Sequence, residues 1–69
     1  MKFYHYQSMP MKARISTLQK RLIDLGYDKV TVTGKQDKQT TKALTDFQKI
    51  NGITPNGIVC EKTFIALKI

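Results

Sequence analysis

The stretch GKQDKQTTKAL returns 23 residues later as GIVCEKTFIAL. Superposed, the two place Gly34 on Gly57, Thr40 on Thr63, Ala43 on Ala66 and Leu44 on Leu67, the pattern G-x5-T-x2-A-L written twice. Each copy opens on a glycine suited to a turn, passes through a short link, and ends on an Ala-Leu pair at helical spacing from its threonine. A chain of 69 residues has room for one hydrophobic core only, so both loop-to-helix units must close on that same core. A deep catalytic cleft is not expected at this size.

The residues around the repeat predict three helices. Ile15, Leu18, Leu22 and Leu25 recur at spacings of three and four, an apolar stripe on a helix from about Met11 with Ser8 as N-cap and Pro10 in its first turn. Leu25-Gly26-Tyr27 ends it, with Gly26 at the left-handed position and Tyr27 folding back onto the helix. In DKVTVTG, Val30 and Val32 alternate with Thr31 and Thr33, predicting a short strand-like segment that turns at Gly34. Asp37 caps the second helix, Thr40 sits where its hydroxyl reaches back to the cap, and Ala43, Leu44, Phe47 and Ile50 supply the buried face. Asn51-Gly52 closes that helix, ITPNG is a turn anchored by Ile53, and a third helix runs from about Glu61 to Leu67 with Phe64 and Leu67 inward and Thr63 at its capped start. Residues 1–10, with Phe3, Tyr4, His5 and Tyr6, form an aromatic arm expected to fold over apolar surface, and residues 11–69 form the domain.

Several chemistries are excluded by residue supply. Cys60 is the only cysteine and His5 the only histidine, so neither an internal disulfide nor a zinc site can be assembled, and no cofactor is expected. Glycoside hydrolysis needs two carboxyl groups about 5–10 Å apart across a cleft. Asp24, Asp28, Asp46 and Glu61 are scattered and Asp37 is taken as a cap, so the chain is read as no enzyme. No apolar run has the length of a signal peptide or a membrane span, which leads us to expect synthesis in the cytoplasm without an export address and action at the wall, in a virion or in the cytoplasm.

Twelve Lys and Arg against five Asp and Glu give a net charge of +7, which favours an anionic partner. Lys35, Lys38, Lys42 and Lys49, joined by Lys20 and Arg21, could meet wall phosphates, peptide carboxylates or DNA, although a solvated face explains such a run equally well. No nucleic-acid fingerprint accompanies these residues, and nucleic acid ranks last among the partners.

From Ile15 to Leu67 the chain resembles the peptidoglycan-binding domain found beside bacterial and phage cell-wall hydrolases. Leu18-Gln19, Leu25-Gly26-Tyr27, Gly34, Asp37, Thr40, Phe47-Gln48, Gly52, Gly57 and Thr63 fall in the family's order and at its spacing. Gln36 stands where the family prefers Phe or Tyr, Asn56 where it prefers Asp, and Cys60 where it prefers Gly. The resemblance implies an all-α, roughly orthogonal three-helix bundle with internal pseudo-two-fold symmetry, and a non-catalytic role in holding a protein on stem peptide or glycan. The alternative is a stand-alone interaction protein, phage-encoded in one version, that uses the same scaffold to bind a host or virion protein.

Under the wall-binding reading, the candidate ligand residues are Tyr27, Lys35, Gln48, Asn51 and Asn56, with Asp37, Thr40 and Thr63 as structural caps. Gln19 and Gln48 each follow a core hydrophobe and could bond a peptide or sugar. Bonding to loop backbone is the reading the sequence favours for both. Asn51 and Asn56 suit glycan hydroxyls, and turn geometry accounts for them equally.

Overall fold

The computed structural model describes residues 8–68. The aromatic residues Phe3, Tyr4 and Tyr6 of the expected arm lie outside the described residues, while Met9 packs partly buried against the core. Three helices follow in order, α1 (Met11–Asp24), α2 (Lys38–Ile50) and α3 (Glu61–Leu67), and there is no strand among the described residues. The expected all-α three-helix architecture is therefore what the chain adopts.

The core takes Ile15, Leu18 and Leu22 from α1, Ala43, Leu44 and Phe47 from α2, and Phe64 and Leu67 from α3. Val30 and Val59, from the two connections, complete it. Helix α1 packs against both other helices, and the Arg21 Nε donates to the carbonyl of Leu67 at 2.7 Å, tying the end of α3 to its flank. A seven-residue helix is too short to stand alone in water, so this anchor and the burial of Phe64 hold α3.

Helices α1 and α2 end in the same way. After α1, the Gly26 N–H bonds the Ile23 carbonyl and the Tyr27 N–H bonds that of Leu22, both at 3.0 Å, with Gly26 at φ 107°. After α2, Gly52 bonds Lys49 and Ile53 bonds Gln48 in the same pattern. These are Schellman turns, which use a left-handed residue to satisfy carbonyls that the helix leaves open. Each returns one side chain, Tyr27 or Ile53, to a half-buried position.

Four sequence expectations need correction. The N-cap of α1 is Pro10, not Ser8; its extended backbone lets its carbonyl accept from Arg14 at 3.0 Å, and no side chain caps this helix. Leu25 is 44% exposed because it is the C-cap residue and the turn sends Tyr27 back to the core in its place. Ile50 is 76% exposed: the buried stripe of α2 runs through Thr40, Ala43, Leu44, Phe47 and Gln48, and one more turn would carry it to position 51, not 50. The segment from Val30 to Thr33 forms no strand, and the Thr33 and Gly34 N–H groups bond a side chain of α1 where a strand would bond a neighbour. Val30 is buried and Val32 exposed, whereas a strand would place both on one face.

Candidate functional site

Two buried glutamines fix the loops that lead into α2 and α3. The Gln19 carbonyl oxygen accepts from the N–H groups of Thr33 and Gly34, while its amide nitrogen donates to the Lys35 carbonyl and to the Thr33 and Thr40 hydroxyls. The Gln48 carbonyl oxygen accepts from the Gly57 N–H, and its amide nitrogen donates to the Ile58 carbonyl and the Thr63 hydroxyl. The correspondence is residue by residue: Gly34 with Gly57, Lys35 with Ile58, Thr40 with Thr63. The sequence repeat is thus a repeated clamp, in which a helix glutamine staples the following loop to the start of the next helix.

The clamps close on matched surfaces. A Cβ built on Gly57 would lie 2.9 Å from Thr45 Oγ1 and 3.0 Å from Thr41 Cγ2, and one on Gly34 would meet Ser16 and Lys12 at the equivalent places on α1. The helix starts differ, however. Asp37 accepts from the Thr40 N–H at 2.9 Å, and the Thr40 hydroxyl and backbone amide hold its carboxyl below its ordinary value. Cys60 makes no cap bond to the α3 backbone; its Sγ lies 3.1 Å from the Thr63 hydroxyl. Gln36, where an aromatic is the family preference, bonds the Thr41 hydroxyl and the Gly57 carbonyl and so links one loop to the other.

Between the first Schellman turn and the outer side of α2 lies a cleft of about 250 Å³. Gly26, Tyr27, Asp28, Lys29 and Val30 form one wall, and Gln39, Lys42, Ala43 and Asp46 the other. Val30 and Ala43 are buried and give it an apolar base, and Tyr27 is the one aromatic among the described residues that is not buried. The rim is polar: Asp28, Lys29, Gln39, Lys42 and Asp46 are all exposed. None of these five side chains is engaged in a hydrogen bond or ion pair with another described residue. Opposite charges therefore line one cavity rim without pairing with each other, each exposed to solvent.

Of the residues singled out from the sequence, Tyr27 lines this cleft and the other four do not. Gln48 is completely buried with both ends of its amide occupied inside the chain, so a ligand cannot touch it and its work is to hold the loop. Lys35 lends its carbonyl to Gln19 and leaves its side chain in solvent. Asn51 is the C-cap of α2, its Nδ2 donating to the Phe47 carbonyl, and Asn56 Oδ1 accepts from the Ile58 N–H in a local turn; both are exposed.

Sequence reasoning missed Asp28, Lys29, Gln39 and Asp46 as neighbours of Tyr27, and saw Lys42 only as part of a charge run. The available signal was Lys42 and Asp46, one helical turn apart and flanking small Ala43, on the helix that follows the turn. Among the described residues no group of His, Cys, Asp and Glu could hold a metal ion, and no described helix is long and apolar enough to cross a membrane.

A family model described as "Putative peptidoglycan binding domain" matches residues 12–67, nearly the whole chain. No curated protein and no solved structure matches it.

Proposed function

The chain belongs to the peptidoglycan-binding domain family, and we propose that it binds cell-wall peptidoglycan non-catalytically through the cleft between the first Schellman turn and α2. The observation that carries this reading is a polar rim of unengaged side chains over an apolar base, set between helix α2 and a turn held by the backbone bonds from Gly26 to Ile23, Tyr27 to Leu22 and Val30 to Tyr27. A binding site gains from such stiffness because little is lost in ordering it when the ligand arrives. Hydrolysis is disfavoured on the same geometry: the cleft is open and its carboxylates exposed, whereas catalysis of this kind works in a water-excluding site. The net charge of +7 adds a long-range attraction to an anionic wall. Association with the cell wall as the place of action follows from the same reading.

Co-sedimentation with purified sacculi tests it, at about 50 and about 300 mM salt so that exposed charge is screened in the second case. Retention at both, weaker at the higher salt, is the expected result. Loss at both with a folded sample contradicts the reading and points to a host or virion protein as the partner.

A further inference from the structure

We infer that the cleft recognises the peptide of the wall polymer and not its glycan, taking a short segment that carries both a free carboxylate and a free amino group. The inference rests on the proposal that this cleft is the peptidoglycan site. Its starting point is the rim: Lys29 and Lys42 offer cations, Asp28 and Asp46 offer anions, and Gln39 offers an amide, with none of them paired to another described residue. A neutral sugar has no charge to meet such a set. A peptide with a carboxylate and an ammonium group meets both signs at once.

The internal repeat supplies a control within the molecule. The turn after α2 repeats the two Schellman bonds of the turn after α1, and α3 copies the start of α2 through the glutamine clamp, while beyond those bonds the Val30 N–H returns to Tyr27 where the Asn56 N–H returns to Thr54. If the charges served the scaffold, the second copy would need them too. Yet the positions matching Asp28 and Lys29 hold Thr54 and Pro55, those matching Lys42 and Asp46 hold Ile65 and Ile69, and that matching Gln39 holds Lys62, a cation with no acidic partner among the matched positions. The scaffold is duplicated and the mixed charge is not, so the charge belongs to what the first cleft binds.

Size and ring supply agree. A cleft of about 250 Å³ lies below the roughly 300–1,000 Å³ typical of sites that engulf a drug-sized molecule, and suits one or two residues of peptide. Sugar recognition commonly stacks a ring face on aromatic side chains, and the cleft has Tyr27 alone, half-buried, for that purpose. Lys42 and Asp46 stand on α2, a rigid element, and are the pair we assign to the ligand carboxylate and ammonium respectively.

Calorimetric titration of the full chain with four soluble probes tests the assignment: an N-terminally acetylated wall tripeptide ending in a diamino acid, the same tripeptide with its terminal carboxylate amidated, the same with its remaining side-chain amine acetylated, and a neutral N-acetylated disaccharide. The parent tripeptide should bind, the disaccharide should not, and each blocked peptide should bind about fivefold more weakly, the scale of an exposed ion pair. Lys42→Met should abolish the difference between free and amidated carboxylate, and Asp46→Asn that between free and acetylated amine. Both positions are exposed, and equal melting temperatures would show that the variants fold. Retention on sacculi, run in parallel, separates the two levels. If sacculi are retained but only the disaccharide binds, or blocking either charge changes nothing, the peptide assignment is overturned and wall binding stands. If sacculi are not retained, the functional reading fails and the assignment with it.

Discussion

At the scale of single residues, Gln19 and Gln48 carry more of the fold than any hydrophobe of their size could. Each is completely buried and satisfies backbone groups of a loop that has no regular structure of its own. Gln48→Leu keeps the volume but strands the Gly57 N–H, the Ile58 carbonyl and the Thr63 hydroxyl. A buried polar group left without a partner costs about 1–3 kcal/mol, so we expect a loss of about 3 kcal/mol in urea unfolding, with Gln19→Leu at least as severe. Gly57→Ala is also costly, about 2–3 kcal/mol, because φ is 70° and the new Cβ would press on Thr45 and Thr41. Gly26→Ala is the comparison: nothing lies within 4 Å, so the left-handed backbone alone is penalised, about 1 kcal/mol. The glutamines were legible as polar residues next to core hydrophobes, but which loop atoms they hold depends on contacts 9 to 21 residues distant, and spacing does not encode those.

At the scale of elements, the helix ends decide stability. Asp37 is ionised when it accepts from Thr40, and its folded value lies below the ordinary one. A depressed value means the stabilisation is complete above the ordinary carboxylate range and is lost as pH falls through that range and then through the folded value. Melting temperature should therefore drop on acidification from neutral to about pH 3, and Asp37→Asn, which caps without titrating, should flatten that dependence. Cys60 offers the opposite opportunity. Helix α3 has no side-chain cap, and Cys60→Asp would reproduce the arrangement at Asp37, raising stability by about 1 kcal/mol in thermal or urea unfolding. The three helices, the Asp37 cap and the turn at Gly26 could all be read from periodicity and turn chemistry. Leu25 and Ile50 could not, since both fall within a turn of a helix end, where the chain direction and not the period sets which side chain faces inward.

At the scale of the whole molecule, a duplicated scaffold carries the proposed site beside its first copy. The repeat read in G-x5-T-x2-A-L specified the scaffold correctly because both copies use the same local bonds. The cleft was illegible for the converse reason: its walls, residues 26–30 and 39–46, come together only when α2 packs beside the end of α1, and no motif spans them. Tyr27 was singled out, and its charged neighbours entered as scattered carboxylates and a lysine run. The most direct test of the central claim is an amide chemical-shift map of the folded chain titrated with soluble wall fragments. We predict shifts concentrated on residues 26–30 and 39–46, with Asn51 and Asn56 unmoved. Shifts centred on 51–58 instead, or none anywhere with sacculi still retained, would place the site elsewhere and contradict the account.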